Sequence, residues 1–119
     1  MKSSLSNYIR TYRRRVFLSQ EELAFLLGSA AGTTVVRHEM NQRVPTLDKA
    51  LTYAAVLQVD TRELFAGRYE EQAAAVRERA VVLLKSVKGQ LPTEDVREKT
   101  LFLQALVDDP EPHLVPCDE

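Results

Sequence analysis

The sequence predicts an all-α protein, and three observations support this prediction. Apolar residues recur at intervals of three and four along much of the chain, which places them on one face of a helix. Serine, threonine and aspartate stand at positions where they can cap the helices that these apolar rows define. Glycine and proline stand between the rows, where helices end. We therefore predict seven helices and no strands.

The composition is that of an ordinary globular protein. The chain has 119 residues, of which 45% are hydrophobic and 28% are charged, which suits one domain or one small domain with an appendage. No apolar run approaches the ~20 residues of a membrane span, and the first residues lack the apolar core of a signal peptide. A single cysteine, Cys117, excludes an internal disulfide, and no cluster of ligand residues suggests a metal site. We expect a cytoplasmic protein that binds no metal, no cofactor and no membrane.

The most informative segment lies between residues 18 and 47. Ser19 can accept a hydrogen bond from the backbone N–H of Glu22, whose side chain can reach back to Ser19, and this capping box begins a helix. Gly28 supplies the end of that helix, and Asn41 can take the left-handed conformation that often ends the next one. The two helices have the spacing of a helix-turn-helix. The first three helices are predicted over residues 6–16, 20–27 and 32–40.

Two further helices complete the first part of the chain. Thr46 caps the fourth helix, after a loop that Pro45 closes. Asp60 and Glu63 form a second predicted capping box, which opens a short fifth helix ending before Gly67. We expect the five helices to pack around one core. Its predicted members are Ile9, Leu23, Leu27, Val35, Leu51 and Leu64.

The second part of the chain predicts a helical hairpin. A heptad row of apolar residues indicates a long helix over residues 70–88. A tight connection follows, and Thr93 caps a seventh helix that ends before Pro110. The final residues are rich in proline and acidic residues and are predicted to be disordered. The predicted boundaries are 1–67 for the first domain, 68–109 for the hairpin and 110–119 for the tail.

Residues spread over the first half of the chain carry a resemblance to a known family. They are Arg13, Leu18–Ala24, Leu27, Gly28, Val35, Arg37, Glu39, Pro45, Leu47 and Asp60–Phe65. Residues 9–65, roughly half of the chain, resemble the DNA-binding domain of the phage-repressor/Cro type, the Xre family of bacterial regulators. The resemblance implies a five-helix repressor-like helix-turn-helix domain. One feature departs from the family pattern: the stretch from Gly28 to Glu39 is one residue longer, which enlarges the turn at residues 29–32.

The resemblance implies that the third helix reads DNA in the major groove. At this helix the predicted base-reading residues are Gly32, Thr33 and Arg37. Arg37 suits guanine, because its guanidinium can bind O6 and N7 together, and the alternative for it is a phosphate contact. The predicted phosphate contacts are Gln20, Thr34, Arg43 and Arg14. For Gln20 the alternative is an exposed helix start, and for Arg14 it is a solvated helix face.

Two other assignments are structural. Arg13 and Glu39 match a pair that forms a partly buried salt bridge between the first and third helices of the family. His38 stands where the family usually has an apolar residue, and we expect it to pack against the edge of the core rather than to act as a proton switch.

The charge of the chain is unevenly distributed. Residues 1–46 contain seven cations and three carboxylates, whereas residues 47–119 contain nine cations and fourteen carboxylates. The first part therefore carries a net charge of +4 and the second a net charge of −5. A basic first part and an acidic second part are typical of a protein that binds nucleic acid through one face only.

The apolar row of the hairpin has two interpretations. It is either core within one chain or the interface of a homodimer, in which two hairpins form four helices. We favour the dimer, because two-fold symmetry fits a palindromic operator. The predicted interface residues are Tyr69, Val76, Ala80, Leu83, Val87, Leu103 and Val107.

These observations favour a sequence-specific, double-stranded DNA-binding transcriptional regulator, and more specifically a repressor. The alternative is an antitoxin-like or other protein-interaction module whose hairpin binds a partner protein. We do not expect an enzyme. The sequence offers no plausible pair of nucleophile and base, no phosphate-binding glycine loop and only two histidines, His38 and His113.

Overall fold

The computed structural model describes residues 5–108, and these residues form seven α-helices and no strand. The all-α prediction is confirmed for this part of the chain. The chain divides into two compact units, Met1–Tyr69 and Glu70–Glu119. The predicted tail, with Cys117 and His113, lies outside the described residues. The helices are α1 Ile9–Arg15, α2 Gln20–Leu26, α3 Thr33–Glu39, α4 Leu47–Leu57, α5 Thr61–Leu64, α6 Ala66–Lys88 and α7 Glu94–Asp108.

The predicted signals that begin α2 and that end α2 and α3 are confirmed. The Glu22 backbone N–H donates to Ser19 Oγ at 3.0 Å, and the Ser19 N–H donates to a Glu22 carboxylate oxygen at 2.9 Å. Gly28, after α2, has a φ of 79°, a conformation that costs glycine little because it has no Cβ. Asn41, after α3, has a φ of 60°. Each helix therefore ends where the sequence supplies a residue that tolerates the left-handed region.

The second capping box was wrongly predicted. The Asp60 side chain makes no capping hydrogen bond to α5. Helix α5 ends before Gly67, as predicted, but Gly67 already lies inside α6. The Gly67 N–H belongs to the first turn of α6, where no carbonyl of the same helix is available. It donates instead to the Leu5 carbonyl oxygen at 2.9 Å. This contact outside the helix satisfies the start of α6 and lets it begin four residues earlier than predicted.

The first unit has one apolar core, built from α1 to α5. The prediction was wrong at Leu51, which is 51% exposed, whereas Tyr53 is fully buried. Tyr53 and Leu57 lie one turn apart and form the inner face of α4, and Leu51 lies outside that face. A tyrosine tolerates this burial because its hydroxyl has a hydrogen-bond partner. The buried members are Ile9, Leu23, Ala24, Leu27, Val35, Tyr53, Leu57 and Leu64.

The second unit has its own, smaller core between α6 and α7. Leu103 of α7 and three residues of α6 are buried in it, and Val96, Leu106 and Val107 pack against them. The α6 members are Ala80, Leu84 and Val87. Several residues that the sequence assigned to a dimer interface thus contribute to the hairpin itself. Within the described residues, no helix has the length and apolar content needed to cross a bilayer, and no cluster of His, Cys, Asp and Glu could hold a metal.

Candidate nucleic-acid interface

Helix α3 has a buried inner face and an exposed outer face. Val35 is fully buried and His38 is 4% exposed, and they lie three residues apart on the side that meets the core. Thr33 and Arg37 are exposed, and Thr34 is half-buried. The seven-residue helix is too short to be stable alone, so packing of its inner face must hold it in place. Its outer face is left free to contact another molecule.

The first anchor of α3 is the buried carboxylate of Glu39. The Glu39 side chain is 3% exposed, and one of its oxygens lies 2.6 Å from Arg13 Nε. Gln20 Nε2 donates to the other oxygen at 3.0 Å. Arg13 also donates from Nη1 to the Leu18 carbonyl oxygen at 2.9 Å. Since Arg13, Gln20 and Glu39 belong to α1, α2 and α3, one charged group ties three helices together.

The second anchor lies beneath the same helix. His38 Nδ1 and the Tyr53 hydroxyl share a hydrogen bond of 2.7 Å, and the two rings meet edge to face at an interplanar angle of 76°. Asn7, itself buried, donates from Nδ2 to the His38 carbonyl oxygen at 3.0 Å and to Asn41 Oδ1 at 3.1 Å. These bonds fix the last turn of α3 to α4 and to the segment before α1.

The anchor also shifts two pKa values. Burial lowers the pKa of His38, and the positive charges of Arg43 and Lys49 lower it further. Burial raises the pKa of Tyr53, and the negative charge of Glu39 raises it further. Both shifts favour the neutral forms, so the pair is uncharged at neutral pH. This agrees with the expectation that His38 packs against the core.

The turn between α2 and α3 lies close to the start of α2. Gly32, which the sequence assigned to base reading, is buried. A Cβ at this position would lie 3.2 Å from a carboxylate oxygen of Glu21 and 3.3 Å from its backbone nitrogen. The turn approaches α2 so closely that a side chain at position 32 would crowd Glu21, which explains why this residue is a glycine. Thr33 and Arg37 form the exposed part of the predicted base-reading set.

The arginines at the end of α1 have three different surroundings. Arg13 points inward to Glu39, whereas Arg14 is exposed. The Arg15 guanidinium lies 4.8 Å from the centroid of the Tyr12 ring, a cation–π contact. Arg43, in the loop after α3, is exposed, as its predicted phosphate contact requires.

Gln20 stands at the start of α2, as expected, and its side chain has a partner inside the protein. Its side chain was predicted to bind phosphate, and in the structure it donates to Glu39. The Gln20 amide has a second N–H, so it is able to hold Glu39 and to donate to another acceptor at the same time.

Three residues of the site carry no clear signal in the sequence. Asn7, Tyr53 and Lys49 are separated from their partners by many residues. Lys49 Nζ donates to the Leu27 carbonyl oxygen at 2.8 Å and thereby caps the end of α2. A helical repeat reveals which positions of α4 lie on one face, but it does not reveal which distant group each side chain reaches.

Comparison with known proteins finds no match. No protein-family model matches the chain, and no curated protein and no solved structure matches it either. The resemblance to the Xre family therefore rests on the residues and spacing described above.

The buried carboxylate predicts a clear difference between two glutamates. Glu39→Ala should destabilise the protein by about 3 kcal/mol, because it leaves the largely buried Arg13 without its partner. Glu21→Ala removes an exposed carboxylate from α2 and should have a much smaller effect. Urea denaturation of both variants measures the difference in the free energy of unfolding. Equal losses would show that breaking the Arg13–Glu39 pair costs no more than removing an exposed carboxylate.

The His38–Tyr53 pair predicts a pH dependence of stability. Because the pKa of His38 is lower in the folded protein than the usual value near 6.5, the unfolded chain binds the proton first as the pH falls. The free energy of unfolding should fall below pH 6.5, by at most about 1.4 kcal/mol per pH unit for this one proton, and level off below the folded-state pKa. His38→Gln, which keeps a polar group beside Tyr53, should lose this component. Denaturation curves at neutral and mildly acidic pH give the comparison, and identical pH profiles would contradict it.

Proposed function

We propose that the protein is a sequence-specific, double-stranded DNA-binding regulator of the Xre type that inserts α3 into the major groove. The observation that carries the proposal is the arrangement of α3, whose inner face is anchored by Glu39 and His38 and whose outer face exposes Thr33 and Arg37. An α-helix with its side chains is about 10–12 Å across, which matches the major groove width of about 12 Å. Preorganised anchoring means that little ordering of the helix is needed on binding.

Base reading would come from the exposed side chains of α3. Arg37 lies one turn into the helix, where a long side chain reaches a base edge, and its guanidinium can bind guanine O6 and N7 together. Thr33 offers a hydroxyl to a base or phosphate and a methyl group to thymine. Two side chains make a small reading surface, so DNA shape and deformability would supply further specificity.

Phosphate contacts would supply most of the affinity. Arg14 and Arg43 are exposed cations, on α1 and in the loop after α3, and Thr34 and the second N–H of Gln20 are further candidates. The net charge of +4 over residues 1–46 supports binding to a polyanion, because each neutralised phosphate releases counterions. Binding should therefore weaken steeply as the salt concentration rises.

A second candidate function is the recognition of a partner protein by the hairpin. It is favoured by exposed apolar side chains on α7, where Leu101 is 66% and Phe102 is 64% exposed. An antitoxin-like protein would combine such a surface with DNA binding. We rank it second, because exposed apolar side chains are common on protein surfaces and do not by themselves indicate a partner.

The central prediction separates base reading from phosphate binding. Arg37→Ala should cost about 1–3 kcal/mol on the best duplex selected from random DNA and should relax the preference at one base pair per half-site. Arg14→Ala should weaken all duplexes by similar factors and leave their order unchanged. Lys85→Ala, which removes an exposed cation from α6, is the matched charge control and should have little effect.

Fluorescence anisotropy at one fixed salt concentration measures all three variants, since the phosphate contribution depends strongly on salt. If Arg37→Ala lowers the affinity for every duplex by the same factor, Arg37 contacts only the DNA backbone and does not read a base. Equal losses for Lys85→Ala and Arg37→Ala would mean that net charge alone drives binding, and this would overturn the proposal for α3.

A further inference from the structure

A groove lies at the end of the hairpin where α6 stops and α7 begins. Its volume is about 380 Å³, and it extends along α7 as far as Leu101. Its floor is apolar, because buried Val87 and half-buried Val96 lie there. Lys88 of α6 and Arg97 of α7 are exposed and line the same groove. We call this site the hairpin groove.

The charged side chains that line the hairpin groove are both cations. Arg97 Nη1 donates to the Pro92 carbonyl oxygen at 2.8 Å, and the guanidinium has further N–H groups that can bind a carboxylate. Neither Lys88 nor Arg97 forms a salt bridge with a described residue. The positive charge is local, since residues 70–108 contain six cations and seven carboxylates. An apolar floor beside two cations suits a ligand that is both apolar and acidic.

The segment that follows α7 has this composition. Residues 109–119 lie outside the described part of the chain, and their sequence includes neither lysine nor arginine. The apolar pair Leu114–Val115 stands between carboxylates on both sides. Three prolines favour the extended polyproline II conformation, which loses little conformational entropy on binding. The carboxylates are Asp109, Glu111, Asp118 and Glu119.

The segment is long enough to reach the hairpin groove. Leu101 and Arg97 stand seven and eleven residues before Asp108, which ends α7, and thus about 10 and 16 Å back along the helix axis. Leu114 follows Asp108 by six residues, a span of about 19 Å in the polyproline II conformation. The difference leaves a few ångströms, on the order of one residue, for the turn. A segment that turns back after α7 can therefore bring Leu114 level with the groove.

We propose that residues 109–119 of this chain fold back along α7 and place Leu114 and Val115 in the hairpin groove. Burial of the two apolar side chains supplies the main driving force. The carboxylates that flank them come close to Lys88 and Arg97 and set the direction of the segment. This conformation replaces the disorder that composition alone predicts for residues 110–119. The proposal goes beyond the proposed function and does not depend on DNA binding.

The single cysteine of the chain makes the proposal testable without a substitution. Cys117 lies in the segment, so a nitroxide spin label attached to it broadens the NMR signals of nearby backbone amides. In the isotope-labelled full chain without DNA, the strongest broadening should affect the connection at residues 89–93 and the first turn of α7. Helices α6 and α7 are antiparallel, because five residues connect them. Broadening confined to the opposite end, at residues 70–78 and 104–108, would overturn the proposal.

A mixed sample distinguishes this segment from that of a second copy. Isotope-labelled chain without a spin label is mixed with spin-labelled chain that carries no isotope. The broadening at residues 89–93 should then disappear, because the label and the observed amides are on different chains. Broadening that persists in the mixture would place the segment of a second copy in the hairpin groove and would overturn the proposal.

Variants on both sides of the contact test its chemistry. Leu114→Ser should lower the equilibrium constant for docking about tenfold, because it removes most of a buried leucine side chain. Lys88→Glu should also weaken the broadening at residues 89–93, since it places a carboxylate beside the acidic segment. Lys85→Glu is the matched control, because Lys85 is exposed on the same helix and does not line the groove. Unchanged broadening in Leu114→Ser, or equal effects of Lys88→Glu and Lys85→Glu, would overturn the proposal.

Discussion

The buried carboxylate of Glu39 is the constraint on which the arrangement of the first unit depends. A carboxylate that is almost inaccessible to water must be neutralised and hydrogen-bonded, or its burial costs several kcal/mol. Arg13 and Gln20 meet this requirement, and they can do so only while α1, α2 and α3 keep their relative positions. Such a pair adds little net stability, because desolvation of both charges offsets their attraction. Its main effect is on specificity: arrangements of the three short helices that leave Glu39 buried without its partners have a much higher free energy.

This constraint connects the core to the proposed DNA contact. Helix α3 has seven residues, so its position is set by what holds its inner side. Glu39 and the His38–Tyr53 pair act on its last turn, and Val35 packs into the core. Thr33 and Arg37 are left outside, on a helix that cannot easily rotate or shift. Side chains that reach a base edge need this accuracy, because a small displacement breaks a bidentate contact.

The sequence predicted the parts of the structure that depend on local chemistry. The capping box at Ser19, the left-handed residues Gly28 and Asn41 and the proximity of Arg13 to Glu39 all follow from short-range patterns or from a resemblance in spacing. Where prediction failed, a distant partner decided the outcome. Tyr53 is buried in place of Leu51 and has a hydrogen-bond partner in His38, and Gly32 is buried where the turn lies against Glu21. In the hairpin the heptad row identifies apolar residues of α6, but it does not show which of them pack against α7. Ala80 of this row is buried, whereas Leu83 is exposed.

The most direct measurement is an NMR titration of the isotope-labelled protein with a duplex selected from random DNA, at one fixed salt concentration. If α3 enters the major groove, the backbone amide signals of Thr33–Glu39 and of the loop containing Arg43 should shift most. Signals from the first turn of α2 should shift with them, whereas those of Glu94–Asp108 in α7 should change little. Shifts centred on the hairpin, or no saturable shift at any site, would contradict the account.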